Sequence, residues 1–163
     1  MPTRNGKWAV SLLAAVLMLA LSAFSQQRNL TRQCSPVGGT LETNLAVVGK
    51  STTMGTATGD LKGAVAATIL NVTQNPDGTV SFTVQHHWVT ESGDTISFAR
   101  ATALTMPLSA TRFAIIDYPV HINGGTGKYA NATGDLDSIG EVDLGSGQTV
   151  FRYSGKVCLA VAE

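Results

Sequence analysis

The chain has 163 residues, 44% of them hydrophobic, and its 11 Lys and Arg balance its 11 Asp and Glu, so the formal net charge at pH 7 is zero. This length suits one domain with its own hydrophobic core. The balanced charge, with no basic stripe that carries interleaved aromatic side chains, excludes a nucleic-acid-binding protein of the usual basic kind.

Residues 1–25 have the pattern of a signal peptide. Arg4 and Lys7 precede an apolar run from Trp8 to Phe24, and Ala23 and Ser25 are the small residues that a signal peptidase recognises. We predict cleavage after Ser25, with cleavage at Ala23 and an uncleaved membrane anchor as alternatives. The mature chain would then be slightly acidic, free of the membrane, and secreted or periplasmic.

Cys34 and Cys158 are the two cysteines of the sequence, and they flank most of the mature chain. An exported protein meets an oxidising compartment, so we predict that they form a disulfide bond. Two buried free thiols are the alternative. We expect a polar lead-in over residues 26–40 and a single domain over residues 41–163.

The mature sequence is rich in Thr, Val, Ala and Gly and has no stretch with a helical period of apolar residues. This composition predicts an all-β protein. Turn signals recur throughout, and several strand-like runs between them are longer than the usual strand of about five to six residues. Long strands joined by short hairpins favour an antiparallel barrel or a strongly coiled sheet over a small sandwich.

The segment "NPDG" predicts a three-residue hairpin loop, because Pro76 suits the first turn position and Gly78 the left-handed one. This turn pairs Asn75 with Thr79. Carried back along both strands, the register pairs Gln74 with Val80, Val72 with Phe82, Leu70 with Val84, Thr68 with His86 and Ala66 with Trp88.

The segment "ESGD" predicts a second loop of the same kind, which pairs Thr90 with Asp94. A two-residue loop is the alternative, but it would break the agreement between the two hairpins about which residues share a face. The predicted inner face consists of Leu70, Val72, Val80, Phe82, Val84, His86, Trp88, Ile96, Phe98, Arg100, Leu104 and Met106.

His86 and Arg100 are the polar residues of this face, and we predict that they are diagonal neighbours. A buried polar group without a partner costs stability, so each is either satisfied inside the protein or binds the polar end of an apolar ligand. In the second case Arg100 would hold a carboxylate or phenolate, and His86 would donate or shuttle a proton. The same two residues are our candidates for catalysis.

The remaining motifs predict no metal and no cofactor. His86 and His87 point to opposite faces of a strand, and Asp117 and His121 are about 13 Å apart on one, so neither pair can bind one ion. The segment "GTGKYA" matches a dinucleotide-binding pattern, but no helix follows it to bind a phosphate. There is no G-x-S-x-G motif of a serine hydrolase.

The segment "VHINGGTGKYANATG", Val120 to Gly134, resembles the corresponding motif of dirigent proteins and allene oxide cyclases. The matching positions are Gly124, Gly125, Thr126 and Gly127, followed by Lys128 and Tyr129. The resemblance implies an eight-stranded antiparallel barrel with an apolar cavity, in a superfamily that steers cyclisation or radical coupling of small apolar substrates, often as trimers. It also implies that the four motif positions are structural, and it leaves a homo-oligomer open.

The segment "ATGDL" occurs twice, at residues 57–61 and 132–136. We interpret both copies as the same structural corner, in which a glycine turn leads into a strand. A duplicated binding loop is the alternative, with Asp60 and Asp135 on one rim of the barrel as surface charges or as ligands of a cation.

These patterns together predict an exported β-barrel that binds a small, largely apolar molecule in its lumen. Two alternatives stay open: a cyclase or isomerase that steers a bound apolar substrate, and a secreted structural or protein-interaction domain whose lumen is filled by side chains. The predicted ligand-binding residues are Phe82, His86, Trp88, Phe98, Arg100 and Tyr129.

Overall fold

The computed structural model describes residues 30–45 and 49–162. The predicted signal peptide lies outside the described residues. Within them, no helix is long and apolar enough to cross a membrane. Two short 3₁₀ turns, Gly59–Leu61 and Gly127–Tyr129, accompany the described strands, which are β1 (Leu30–Leu45), β2 (Thr52–Ala57), β3 (Gly63–Gln74), β4 (Val80–Thr90), β5 (Thr95–Phe98), β6 (Ala101–Pro107), β7 (Arg112–Asp117), β8 (Pro119–Gly125), β9 (Thr133–Asp143) and β10 (Gln148–Ala162).

The strands form one closed antiparallel barrel. β1 to β4 pair in chain order, and β10 pairs with both β9 and β1. β5 and β6 act as one bent strand, since both pair with β4, and β7 and β8 act as another, since both pair with β9. The described segments therefore make an eight-stranded barrel, which confirms the predicted all-β, up-and-down architecture.

The core lies inside this barrel, because alternate side chains of each strand point inward. On β4, for example, Val80, Phe82, Val84 and Trp88 are buried, whereas Val89 is exposed. The first hairpin begins as predicted: the N–H of Asn75 donates to the carbonyl of Thr79 at 2.9 Å. The pairing of Val72 with Phe82 is also confirmed.

A β-bulge in β3 then changes the register. Ile69, not Leu70, pairs with Val84, and the pairing shifts between Ile69 and Asn71. Leu70 is 46% exposed, so its predicted place on the inner face is wrong. Val72 keeps its predicted partner but is 53% exposed, so it is not part of the buried inner face either. The predicted partners of His86 and Trp88 are wrong for the same reason, because one extra residue turns every following side chain to the other face. The observed partners are Ala67 for His86 and Val65 for Trp88.

The second hairpin also has the predicted register at its turn and a shifted register farther along the strand. The N–H of Thr90 donates to the carbonyl of Asp94 at 2.8 Å, and Trp88 pairs with Ile96, as predicted. Between β5 and β6 one extra residue intervenes, so Val84 pairs with Ala101 and not with Arg100.

This second irregularity turns the predicted face of β6 around. The residues that point inward are Ala101, Ala103 and Thr105, all of them buried. Arg100 is exposed, and Met106 is 51% exposed. The predicted inner placement of Arg100, Leu104 and Met106 is therefore wrong.

Cys34 on β1 and Cys158 on β10 form a disulfide bond with an S–S distance of 2.03 Å, which confirms the predicted pairing. The bond links the first strand of the barrel to the last. Because β1 already begins at Leu30, the domain boundary predicted at residue 41 falls inside a strand.

The two "ATGDL" copies have different structures. Residues 59–61 of the first copy form a 3₁₀ turn between β2 and β3, whereas residues 133–136 of the second copy lie in β9. The prediction of one corner used twice is therefore wrong. The corner that does recur is an extended Thr followed by a 3₁₀ turn that begins with Gly: Thr58 and Thr126 precede the two turns with φ of −113° and −116°. The turns end on buried Leu61 and buried Tyr129.

Candidate ligand-binding lumen

The barrel encloses a cavity of about 80 Å³. A cavity needs roughly 10–15 Å³ to hold one water molecule, and one of about 150 Å³ binds benzene. The lumen is therefore narrow but not filled by side chains. Its walls are mostly aliphatic and aromatic, with Ile69, Phe82, Val84, Phe98, Ile115 and Val120 among them.

One end of the lumen is closed by the first 3₁₀ turn. Leu61 in that turn is 2% exposed. The indole N–H of Trp88 donates to the Leu61 carbonyl at 2.7 Å, and the N–H of Leu61 donates to Tyr153 Oη at 3.0 Å. Tyr153 Oη in turn donates to the carbonyl of Thr58 at 2.8 Å. These bonds satisfy the polar groups of both rings while their apolar parts cover the cavity.

The opposite end of the lumen is covered less tightly. Phe113, Val142 and Phe151 are only partly buried there. Phe113 packs edge-on against Phe82, with ring centroids 5.4 Å apart. Apolar side chains thus continue from the cavity to this end of the barrel.

His86 and Tyr118 form a polar contact inside the barrel. Tyr118 Oη lies 2.7 Å from Nε2 of His86. Burial, with a smaller contribution from the neighbouring His87, lowers the pKa of His86 to about 4, and burial raises the pKa of Tyr118. Both side chains are therefore neutral at pH 7. Nδ1 of His86 is buried and has no hydrogen-bond partner among the described residues.

His86 and Tyr118 each lie beside an irregularity in the strand pairing of the barrel wall. His86 lies where β4 changes partners, between the Trp88–Ile96 pair on β5 and the pairs that resume on β6. Tyr118 lies at the junction of β7 and β8, next to a register shift between β6 and β7. Bulges and bends of this kind often redirect side chains at functional sites.

Most other polar side chains of the lumen bond to each other or to the backbone. Thr43 and Thr149 share a hydrogen bond of 2.5 Å between their hydroxyls, and the Thr53 hydroxyl donates to the carbonyl of Ala67 at 3.4 Å. Ser138 also lines the cavity, and its backbone N–H donates to the carbonyl of Tyr118 at 3.2 Å. Ser138 is thus a wall residue on the strand next to Tyr118.

The structure brings together four of the six predicted ligand-binding residues. Phe82, His86, Trp88 and Phe98 line the cavity, although their role in binding stays a prediction. Arg100 does not join them, because the irregularity after β5 turns it outward. Tyr129 is buried at a barrel corner, under Lys128 Nζ at 5.0 Å from the ring centroid, and is absent from the cavity wall.

The Gly124–Gly127 motif makes one of these corners. Gly124, Gly125 and Gly127 have φ of 143°, 155° and 54°, and Thr126 Oγ1 accepts a hydrogen bond from the N–H of Thr95 at 2.8 Å. The motif thus turns the chain at the end of β8 and is hydrogen-bonded to the start of β5. The positive φ values that such a corner requires are readily adopted by glycine.

Asp60 and Asp135 do not meet at one site. Asp60 accepts a hydrogen bond from the N–H of Gly38 at 2.8 Å, and Asp135 pairs with His121 at 2.5 Å between Oδ1 and Nδ1. In the part of the chain that the structure describes, no three His, Cys, Asp or Glu side chains are grouped as a metal site requires.

Tyr118 and Ser138 line the cavity but are not among the predicted ligand-binding residues. The segment around Tyr118 has apolar residues at both parities, and the bulge in β7 is not visible in it. One signal was present, because Tyr118, Val120 and Ile122 alternate up to Gly124, and a period of two over these residues places Tyr118 inside.

Two solved structures are similar to this chain. The pterocarpan synthase dirigent protein GePTS1 has 15% sequence identity and a TM-score of 0.36, with 83% of this chain and 90% of that chain covered. The pterocarpan synthase dirigent protein PsPTS1 has 15% identity and a TM-score of 0.34, with coverage of 80% and 97%. No family model and no curated protein matches the chain. The likeness to dirigent proteins concerns the fold alone, and the link to allene oxide cyclases stays a prediction.

Proposed function

We propose that the lumen binds a small, largely apolar molecule, and that His86 and Tyr118 orient its polar end. The observation that carries this proposal is an apolar cavity of about 80 Å³ next to a buried imidazole nitrogen that has no partner among the described residues. Side chains that line a void lose dispersion contacts, and an unpaired buried polar atom costs free energy. An occupant with one polar group would restore both.

The size of the cavity limits the occupant. A molecule of a few heavy atoms suits about 80 Å³. The end of a longer molecule also suits it, if the remainder extends past Phe113 and Phe151 at the less tightly covered end.

Export is part of the same proposal. A disulfide such as Cys34–Cys158 is typical of proteins in oxidising compartments. It supports a periplasmic or secreted location, together with the predicted signal peptide.

A cyclase or isomerase is the second candidate, and the His86–Tyr118 contact is the observation that favours it. A neutral imidazole held by a phenol has a defined ring orientation, as a group that polarises a bound substrate must have. In this version, His86→Ala abolishes turnover and leaves binding largely intact, whereas loss of both together favours simple binding.

The fluorescence of Trp88 tests the binding proposal directly. The sequence has two tryptophans, and Trp8 belongs to the predicted signal peptide, so Trp88 in the cavity wall is the only one in the mature chain. Titration with cyclopentane, benzene and an apolar extract of the host should change Trp88 emission in a saturable way. Native mass spectrometry of protein purified from its own host should detect a copurified small molecule.

A matched pair of variants distinguishes the lumen from the outer surface. Ala103 is buried in the cavity wall, and Thr102 beside it is exposed. Ala103→Phe should fill the lumen and remove the saturable response, whereas Thr102→Phe should keep it. No saturable response in the unaltered protein, and no copurified molecule, would overturn the proposal.

A further inference from the structure

The described wall of the lumen carries no charged group that could pair with a charged ligand. Among the described residues that line it there is no Lys, Arg, Asp or Glu, and Arg100 is exposed. An unpaired charge in such an apolar site costs far more free energy than one hydrogen bond returns. The chemistry of the wall therefore fits an uncharged occupant.

The proton arrangement of the His86–Tyr118 contact determines what the free imidazole nitrogen can do. A neutral imidazole carries one N–H. If Tyr118 donates to Nε2, the proton of His86 is on Nδ1, and that N–H is then the one group of this pair without a partner in the described part of the chain. If Nε2 donates instead, both the Nδ1 lone pair and the Tyr118 hydroxyl proton lack partners among the described residues. The first arrangement leaves fewer unsatisfied groups and makes Nδ1 a hydrogen-bond donor.

We propose, building on the proposed binding function, that the ligand is an uncharged carbonyl compound whose oxygen accepts a hydrogen bond from Nδ1 of His86. This replaces the predicted capture of a carboxylate or phenolate by Arg100. His86 lines the cavity, but Nδ1 itself has almost no accessible surface, so this hydrogen bond requires a small rotation of the imidazole. The hydroxyl of Ser138, on the wall beside Tyr118, is a second polar group within the same region of the lumen.

A pair of probes of equal shape tests the proposal. Cyclopentanone and methylenecyclopentane differ in having a carbonyl oxygen or a CH₂ group at the same position. We would measure the affinity of the mature, oxidised protein for both probes by Trp88 fluorescence, and again for His86→Phe and for the control His121→Phe, at an exposed position outside the cavity wall. For each protein we take the ratio of its affinities for the two probes, and we compare this ratio between the proteins. The difference in hydration between the two probes is the same in every ratio and therefore cancels.

We expect His86→Phe to lower the preference for cyclopentanone over methylenecyclopentane by about tenfold, as a hydrogen bond of ordinary strength implies. His121→Phe should leave the ratio unchanged. Cyclopentylammonium and cyclopentanecarboxylate should bind at least about tenfold more weakly than the ketone. In ¹⁵N spectra of the unaltered protein, the His86 proton should be on Nδ1, and cyclopentanone alone should shift that signal.

The outcomes separate the two proposals. Suppose that both neutral probes bind. The carbonyl assignment is then wrong, and the binding function stands, under any of three results: an affinity ratio that is the same in His86→Phe, a His86 proton on Nε2, or a charged probe that binds as tightly as the ketone. If neither neutral probe binds, the carbonyl assignment fails, and the binding function is then decided by the host extract and by the search for a copurified molecule. The ¹⁵N measurement uses the unaltered chain and therefore decides the matter even if His86→Phe does not fold.

Discussion

Tyr118 and His86 touch at 2.7 Å although β5 and β6 lie between the strands that carry them. Their contact is therefore made by side chains inside the barrel and not by neighbours along the sheet. It depends on the wall irregularities beside each residue, which turn both rings to the same region of the lumen.

Removal of the Tyr118 hydroxyl should destabilise the protein. In Tyr118→Phe, Nε2 of His86 loses its partner inside the barrel, which should lower the free energy of unfolding by about 1–3 kcal/mol. Urea denaturation at pH 7 measures the change. Tyr129→Phe is the control, since Tyr129 is also buried but lies outside the cavity, and an equal loss in both variants would contradict a specific role for the His86 contact.

His86 should make stability depend on pH. Its pKa is about 4 in the folded protein and about 6.5 in an unfolded chain. Between these values the unfolded state binds more protons, so the free energy of unfolding falls as pH falls from about 6.5 to 4, by about 3 kcal/mol in total. His86→Gln removes this contribution. The difference in the free energy of unfolding between the two proteins should be smaller at pH 4.5 than at pH 7. An unchanged difference would show that His86 is not protected from protonation.

Reduction of the disulfide should cost stability because the bond closes a long loop. The two cysteines are 124 residues apart, and the chain-entropy argument gives about 4–5 kcal/mol for a loop of this length. Thermal unfolding with and without a reductant measures the loss. The double variant Cys34→Ser, Cys158→Ser should resemble the reduced protein and should not respond to the reductant.

Two glycines with positive φ should differ in their tolerance of a side chain. Gly78 in the first hairpin has φ of 85° and nothing within 4 Å of an added Cβ, whereas a Cβ on Gly125 would overlap the carbonyl oxygen of Thr95 and the Cβ of Tyr129. We expect Gly78→Ala to cost about 1 kcal/mol of unfolding free energy, from its backbone conformation alone. Gly125→Ala should cost clearly more, and equal losses would mean that the corner yields to the new atom.

The tight turns of this barrel could be predicted, and its irregularities could not. Pro76, Gly78 and Gly93 mark their loops because few residues adopt those backbone angles, so both hairpin registers are right at their turns. The extra residues near Leu70 and Arg100 have no such marker, since a bulge arises from the curvature of the whole barrel. Each one reverses the face of every residue beyond it.

The candidate site shows the same limit. His86, Trp88 and Phe98 lie within a few residues of a predicted turn, and they are on the inner face as predicted. Tyr118 belongs to a strand with apolar residues on both faces, and its partner comes from a strand that is not adjacent. A contact of this kind requires knowledge of how the barrel closes, which no local pattern contains.

The position of the disulfide also has a consequence for how the barrel is made. β1 has β10 as one of its two neighbours, so this edge of β1 stays unpaired until almost the whole chain has been synthesised. Pairing between the two ends of a chain is entropically costly and slow, and an open strand edge invites association with other chains. Closure of the barrel between β1 and β10 therefore also removes an exposed strand edge, and the bond between Cys34 and Cys158 holds the two strands together.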